Sequence, residues 1–382
     1  MANHQTLTKV INFIGLPVLT GLAVATVLLW LFPEFRSASQ VADNNHNLEY
    51  QRLATDWHGP VSYAQAVKKA APSVVNIYTR TKTKPSNHPL LQHPFLRRLY
   101  NQQQARVRDS LGSGVIMDKA GLIVTSYHVV ANVDEILVLL YDGRELPAQV
   151  VGIDPETDLA ILKIASDNLQ AIPVGNPDQA EIGDVVLAIG NPFGMGQTVT
   201  QGIVSATRRN GLNLNTFENY IQTDANINPG NSGGALVDAY GNLLGINSAK
   251  INHDNSEGIA FAVPANEVQK VVDHIIEHGR VIRGWLGFEA YELTPMTAQQ
   301  LNVSISSGLF IAKIIQGGPA HLAKIRPGDI VTAINGMSVT DRHRSVSQIA
   351  DIVPGEPIEL EIQRNNRRLN ITAIAGERPT AN

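Results

Sequence analysis

From Val61 onwards the chain is a series of short apolar runs, and this pattern limits the folds that it can adopt. Each run is rich in Val and Ile, and Gly, Asn or Asp follow, as after VVNIYT, LAILKI, VVLAIG and IAFAVP. Such runs, with turn residues between them, are typical of strands in a β-barrel or sandwich. Helical patterns do not alternate with them, so the sequence predicts a β domain and not a series of βαβ units.

A predicted helix closes this domain. Residues 264–278 begin with Pro264, which suits the start of a helix, and Gly279 follows as a C-terminal cap. Apolar residues at helical spacing form one stripe, which consists of Val268, Val271, Val272, Ile275 and Ile276. After Arg283, short strands and helices predict a second, α+β module. We therefore expect one domain over residues 61–279 and another over residues 280–382.

The N-terminal segment contains 23 uncharged residues, 10–32, which is long enough for a helix to cross a membrane. Lys9 precedes it and Trp30 lies near its far end, which favours an anchor with the rest of the chain exported. A cleaved signal peptide is the alternative, because Ser37-Ala38-Ser39 offers a loose cleavage site. The preferred interpretation is a cytoplasmic tip and membrane anchor over residues 1–36, and a polar tether over 37–60.

Composition excludes several kinds of site. The 382 residues include no Cys, which rules out disulfides and thiolate chemistry, and the net charge of −4 argues against a general nucleic-acid binder. His274 and His278 have the i, i+4 spacing of metal ligands, but no third ligand is apparent. The sequence therefore suggests no metal and no cofactor. Residues 80–110 are strongly basic, which indicates either a functional patch or a solvated insertion loop.

The stretch Gly230-Asn231-Ser232-Gly233-Gly234 matches G-x-S-x-G, the nucleophile elbow of α/β-hydrolases. That elbow requires a helix directly after the serine. Here ALVDAYGNLLGINS follows, and it predicts a strand, a Gly-Asn turn and a second strand. The context therefore excludes the elbow, although a tight glycine turn without chemistry stays open.

A second arrangement fits better. A serine hydroxyl needs a base, a group that orients the base, and donors for an oxyanion. His128 lies in LIVTSYHVV at the end of an apolar run, Asp158 precedes the strand LAILKI, and Ser232 comes last, which is the His, Asp, Ser order of proteases built on two β-barrels. The backbone N–H groups of Gly230 and Ser232 would form the oxyanion hole.

Four segments, TSYHVV, TDLAILKI, GDVVLAIGNPFGMGQTVTQGIVSAT and QTDANINPGNSGGALVD, strongly resemble those of HtrA serine proteases. The resemblance begins near residue 61 and reaches the end of the chain. It implies a mainly β fold, with a trypsin-like double six-stranded β-barrel and a small α+β PDZ domain. It also implies that His128 is the general base, Asp158 its orienting carboxylate and Ser232 the nucleophile. Ser126 replaces the usual Asn, which should affect support of the His128 loop and not the chemistry.

In the trypsin-like fold, the residue six before the nucleophile lies at the base of the specificity pocket. Here it is Asn226, which offers no charge to a substrate Lys or Arg. We therefore expect cleavage after a small aliphatic residue, as the resemblance also implies. Ile246 and Asn247 are expected to line the same pocket.

The second module resembles a PDZ domain, and Trp285-Leu286-Gly287-Phe288 matches its carboxylate-binding loop. A core strand with a buried Trp285 is the alternative. Lys324 stands where relatives often have Gly, which would cost on the order of 1 kcal/mol if its backbone is left-handed. Arg209 matches a loop arginine that takes part in activation by peptide, although a solvated surface charge is an equal explanation.

An anchor and one PDZ domain place the chain with the membrane-anchored HtrA members. That resemblance implies a homotrimer at the inner membrane, with its catalytic and PDZ domains in the periplasm. It implies cleavage of a transmembrane anti-sigma factor when C-terminal peptides of misfolded outer-membrane proteins bind the PDZ domain. Two alternatives stay open: a general periplasmic quality-control protease, and a peptide-binding scaffold whose protease fold is inactive.

Overall fold

The computed structural model describes residues 16–31, 62–81, 108–192, 196–250, 258–305 and 307–379. The chain divides into two compact units, Met1–Val61 and Ser62–Asn382. The described part of the first unit is helix α1, Leu16–Leu31, which contains no charged residue. Across the described ranges, no helix combines the length and apolarity needed to cross a membrane.

Several predictions fall partly or wholly outside the described residues. They concern the ends of the apolar segment 10–32, the tether 37–60 and most of the basic stretch 80–110. The limits of the protease and PDZ domains also stay predictions.

The second unit begins with helix and strand elements that belong to two β lobes. In chain order they are α2 (Ala64–Ala70), β1 (Val74–Thr81), β2 (Arg108–Ile116), β3 (Leu122–Ser126), α3 (Tyr127–Val130), β4 (Glu135–Leu139), β5 (Glu145–Pro147), β6 (Gln149–Asp154), β7 (Leu159–Lys163), β8 (Val185–Gly190), β9 (Thr198–Arg209), β10 (Tyr220–Thr223), β11 (Ala235–Asp238), β12 (Leu243–Lys250), β13 (Ala260–Pro264) and α4 (Ala265–His278). Two 3₁₀ turns, Ala71–Ser73 and Pro177–Gln179, complete this part.

The remaining elements form the C-terminal α+β module. They are β14 (Gly284–Trp285), β15 (Phe288–Glu292), α5 (Pro295–Gln300), β16 (Leu309–Ile314), α6 (Pro319–Leu322), β17 (Ile330–Ile334), β18 (Met337–Ser338), α7 (Arg342–Ala350), β19 (Pro357–Arg364), β20 (Arg367–Ile374) and β21 (Gly376–Glu377).

The two β lobes differ in closure. The second lobe is a closed barrel in the order β10-β13-β12-β11-β8-β9, as expected. The first lobe departs from the expected six-stranded barrel. Its described strands form a seven-stranded sheet in the order β5-β4-β1-β2-β3-β7-β6. One edge strand, β5, is three residues long and ends at Pro147, which has no N–H to donate to a further strand.

Helix α4 covers the junction of the lobes, and the prediction of this helix is confirmed. Pro264 is its N-cap and Gly279 its left-handed C-cap, with φ of 74°. Four residues of the apolar stripe, Val268, Val271, Val272 and Ile275, lie in the largest core cluster, which also holds residues of both lobes such as Val124 and Ile246. The fifth, Ile276, is exposed, so its predicted place in the buried stripe is wrong. Gly152 on β6 approaches α4 so closely that a Cβ there would lie 2.5 Å from Ile275.

The C-terminal module has a sheet in the order β15-β16-β17-β19-β20, with β18 paired to β17. Helix α7 begins at Arg342, because the Asp341 carboxylate accepts a hydrogen bond from the Arg344 N–H. Lys324 has φ of 60°, so its backbone is left-handed and the cost that the sequence analysis attached to that case applies.

Candidate active site

The structure brings His128 and Asp158 into direct contact. The buried strand β3 ends at Ser126, and the one-turn helix α3 then presents the His128 side chain half exposed. The Asp158 carboxylate lies 2.7 Å from His128 Nδ1 through Oδ2 and accepts the His128 backbone N–H at 2.9 Å through Oδ1. One carboxylate therefore fixes both the imidazole ring and the backbone that bears it.

Asp158 holds this position in an unfavourable backbone conformation. Its φ is 59°, which is uncommon for a residue other than Gly, although Asp adopts it more readily than most. The Tyr127 N–H donates to the Asp158 carbonyl oxygen at 3.0 Å, which helps to fix that conformation. Strain of this kind persists where surrounding contacts determine the geometry, as at functional sites.

Ser248 joins Asp158 to Ser232, and the sequence analysis missed it. Its hydroxyl donates to Asp158 Oδ2 at 3.1 Å, and its carbonyl oxygen accepts the Ser232 hydroxyl at 3.1 Å. Among the hydrogen bonds of the described residues, none joins the Ser232 hydroxyl to the His128 imidazole. No local signal could have identified Ser248, because 90 residues separate it from Asp158.

Tyr220 is buried close enough to Asp158 to sense its charge. Its side chain is 1 % exposed and accepts a hydrogen bond from the Asn215 amide. Burial raises the pKa of the Tyr220 phenol, and the negative charges of Glu218 and Asp158 add to that effect. The phenol is therefore a neutral group beside the Asp158 carboxylate.

Two glycines with left-handed backbone shape the turn around Ser232. Gly230 and Gly233 have φ of 102° and 81°, which favour glycine. A Cβ on Gly233 would lie 2.2 Å from the Ser113 carbonyl oxygen, so side chains are excluded there. Within the described ranges, the backbone N–H groups of Gly230 and Ser232 have no protein acceptor. Both are therefore available to an anionic oxygen.

The three residues predicted for the specificity pocket lie in different environments. Asn226 is exposed, and its carbonyl oxygen accepts the Thr200 hydroxyl at 2.9 Å. Ile246 is fully buried in the core between the lobes. Asn247 is also fully buried, and its amide donates to the Ala235 carbonyl oxygen at 3.1 Å. Their role in specificity stays a prediction.

The loop predicted to bind a carboxylate connects β14 to β15. Leu286 is buried in the core of the module, and Gly287 has φ of 77°. A Cβ on Gly287 would lie 3.0 Å from the half-buried indole of Trp285. Among the described residues, neither the Leu286 N–H nor the Gly287 N–H has a protein acceptor. Phe288 then begins β15, an edge strand that packs near α7.

The last of the predicted site residues is Arg209. Arg209 ends β9 on the surface, where its guanidinium donates to the Gln222 side chain at 2.9 Å. The structure therefore gives it a partner within the second lobe.

The sequence analysis did not anticipate a cluster around Arg283. Arg283 bonds both oxygens of Asp154, at 2.9 and 2.6 Å, and contacts Glu156 at 3.3 Å. Its guanidinium also stacks on Phe217, 4.4 Å from the ring centroid. Arg378 adds an ion pair with Glu156 at 2.9 Å. These contacts connect the C-terminal module to the segment that leads to Asp158.

Comparisons with protein families identify both modules. Residues 112–246 match the trypsin-like peptidase domain, and residues 310–364 match the PDZ domain. The first match contains His128, Asp158 and Ser232. The chain therefore combines a peptidase domain with one matched PDZ domain.

Similar proteins have the same combination. The chain is 40 % identical to the serine endoprotease DegS of Salmonella typhimurium over 371 residues, which cover 96 % of this chain and 98 % of that protein. It is 42 % identical to the periplasmic serine endoprotease DegP of Escherichia coli, but over 56 % of that protein. A solved structure of the HtrA-type protease AlgW with a decapeptide is 50 % identical, with a TM-score of 0.74, and the match covers 84 % of this chain and all of that chain.

Proposed function

Because this chain belongs to the HtrA family of serine proteases and is of the DegS type, we propose that it is a peptide-regulated endopeptidase of the periplasm. That it is a serine endopeptidase follows from the family itself. The proposal concerns the residues that perform the reaction, the regulation and the substrate. The observation that carries it is the contact of the Asp158 carboxylate with both His128 and Ser248.

In the proposed reaction, Ser232 Oγ attacks the carbonyl carbon of the substrate. His128 takes the hydroxyl proton through Nε2, because its Nδ1 is held by Asp158, and it later gives that proton to the leaving amine. Asp158 stabilises the imidazolium that forms. The N–H groups of Gly230 and Ser232 bind the oxyanion, and water then hydrolyses the acyl-enzyme.

We propose that cleavage follows a small aliphatic residue. Asn226, at the expected base of the pocket, is neutral and leaves a substrate Lys or Arg without a partner charge. Ile246 and Asn247 are the neighbouring residues of this proposed pocket. Burial of a short apolar side chain is favourable there, whereas burial of an unpaired cation is costly.

For regulation, we propose that the PDZ domain binds the C-terminal carboxylate of a peptide at Leu286 and Gly287. The peptide would add a strand to the open edge of β15, between Phe288 and α7. Trp285 supports this loop by its contact with Gly287. Peptides from misfolded outer-membrane proteins are the proposed activators, and Arg209 is the proposed loop residue that responds.

The proposed substrate is a transmembrane anti-sigma factor, and the proposed assembly is a homotrimer. We further propose that the apolar segment 10–32, of which α1 is the described part, anchors the chain in the inner membrane. The match to 98 % of DegS supports this assignment over a general quality-control protease, since only 56 % of DegP is matched.

One experiment tests the function. Cleavage of a periplasmic model substrate is measured with and without hydrophobic C-terminal peptides, with Ser232→Ala as the control. We expect peptide-stimulated cleavage in the natural protein and none in the variant. Equal activity without peptide would contradict the regulation, and full activity of Ser232→Ala would contradict the mechanism. A mature N-terminus near residue 40, found by mass spectrometry, would contradict the anchor.

A further inference from the structure

Ser113 lies on β2, in the first lobe, and contacts the nucleophile turn of the second lobe. Its side chain is fully buried. The hydroxyl donates to the Gly230 carbonyl oxygen at 2.6 Å and accepts the Asn191 N–H at 3.0 Å. Its backbone N–H donates to the Ser232 carbonyl oxygen at 2.9 Å. A single residue thus contacts the turn on both sides of Asn231.

These contacts fix two peptide groups. The peptide between Gly230 and Asn231 is held at both ends, because Ser113 bonds its oxygen and its N–H donates to Asn228 at 2.9 Å. The peptide between Ser232 and Gly233 is also held at both ends, since Ser113 bonds its oxygen and its N–H donates to Asn247 at 2.7 Å. The peptide whose N–H belongs to Ser232 lies between these two.

The direction of both oxyanion donors follows from this arrangement. With its neighbours fixed, the Ser232 N–H has little freedom to turn away. Once the Gly230 carbonyl is held, the direction of the Gly230 N–H depends on the φ of Gly230. Gly230 alone would not hold its N–H in one direction, because glycine adopts many backbone conformations. Oxyanion stabilisation requires donors that are already aligned before the reaction.

We propose that Ser113 is a positioning residue that aligns the Gly230 and Ser232 N–H groups through its hydrogen bond to the Gly230 carbonyl. The position of Ser113 is itself determined, because the Thr125 hydroxyl donates to its carbonyl oxygen at 2.7 Å. Strand β2 is part of the lobe that carries His128 and Asp158. Ser113 therefore also sets the oxyanion hole relative to the base. This inference rests on the proposed roles of Gly230 and Ser232.

The test compares Ser113→Ala with Ser73→Ala in the full chain. Ser73 is an equally buried serine whose hydroxyl has no partner among the described residues, so its variant removes the same atom without the hydrogen bond. With a peptide substrate that has Val before the cleaved bond, we expect kcat to fall about 30-fold in Ser113→Ala, with KM unchanged within about threefold. Removal of an oxyanion donor itself costs about 10²–10³-fold, and Ser113 acts only through the turn.

A pair of inhibitors separates alignment from general damage. A peptide ending in valinal reacts by addition of Ser232 Oγ to its carbonyl carbon, His128 takes the proton, and the carbonyl oxygen becomes the oxyanion. The same peptide ending in valinol binds without reaction. We expect Ser113→Ala to weaken valinal binding about 30-fold and valinol binding less than about twofold. Equal weakening of both inhibitors would overturn the inference.

Two further outcomes decide the remaining cases. If Ser113→Ala does not fold, Ser113→Cys retains the size and a weak donor, and we expect an intermediate kcat. An unchanged kcat in the Cys or Ala variant would overturn the inference. If Ser232→Ala is inactive and Ser113→Ala is fully active, the inference about Ser113 is wrong, while the proposed function is still supported. If Ser232→Ala is active, both the inference about Ser113 and the proposed function are wrong.

Discussion

Replacing Arg283 by Met should destabilise the protein more than replacing any exposed arginine. The Arg283 side chain is 11 % exposed and that of Asp154 is 4 % exposed, so solvent screens their interaction only weakly. Methionine keeps much of the length and the apolar contact with Phe217 while it removes the charge. The buried Asp154 carboxylate would then retain the Thr157 hydroxyl as a donor but lose its cation.

The expected loss follows from the burial of this pair. Breaking a buried ion pair by removal of one partner typically costs 3–5 kcal/mol, because the other charge stays buried. We take about 3 kcal/mol for Arg283→Met, since the Thr157 hydroxyl offsets part of the loss. Arg280→Met is the matched control, because Arg280 forms an exposed pair with Glu377, with side chains 49 % and 40 % exposed. That variant should lose less than about 1 kcal/mol.

Urea unfolding of the full chain, followed by circular dichroism, measures both variants. The double variant Arg283→Met, Asp154→Asn removes the stranded charge, and we expect it to be more stable than Arg283→Met by about 2 kcal/mol. Equal losses at Arg283 and Arg280, or additive effects of Arg283→Met and Asp154→Asn, would refute the reasoning.

Three further variants test other contacts. Ser248→Ala should lower kcat/KM about tenfold and cost about 1 kcal/mol of stability, because the buried Asp158 carboxylate loses a donor, and an unaltered kcat/KM would count against this role. Lys324→Gly should raise the free energy of unfolding by up to about 1 kcal/mol, since glycine tolerates its φ of 60°, and a denaturant titration that shows a loss would disprove that explanation. Arg364→Ala should destabilise the PDZ domain by about 3 kcal/mol, because it strands the Asp329 carboxylate, which is 1 % exposed; a calorimetric melt without a shift would exclude this.

Sequence patterns were sufficient to predict those features that depend on residues close together in the chain. The helix over 265–278 has an apolar stripe, a Pro at its start and a Gly at its end, and each signal lies within a few residues. Lys324 was singled out because it stands where relatives often have Gly, and its φ is 60°. His128, Asp158 and Ser232 were recognisable because each follows or precedes a typical strand or turn.

Contacts across the two lobes were not accessible in this way. Ser248 reaches Asp158 over 90 residues, and Ser113 reaches Gly230 over 117 residues, so no spacing rule connects them. Arg283 contacts Asp154 over 129 residues for the same reason. The described strands of the first lobe form an open sheet with the short strand at Pro147 on one edge, and hydrophobic alternation does not distinguish an open sheet from a closed barrel.

The observed direction of the Ser232 hydroxyl bears on the proposed regulation by peptide. Its bond to the Ser248 carbonyl contributes about 0.5–1.5 kcal/mol net, and a bond to His128 would replace it. A hundredfold switch in activity requires about 2.8 kcal/mol of difference between two states. Rotation of the hydroxyl does not supply that difference, whereas breaking a buried pair such as Asp154–Arg283 costs about 3–5 kcal/mol, which is large enough. Because Asp154 lies four residues before Asp158, Arg283→Met should change the dependence of cleavage on peptide as well as the stability.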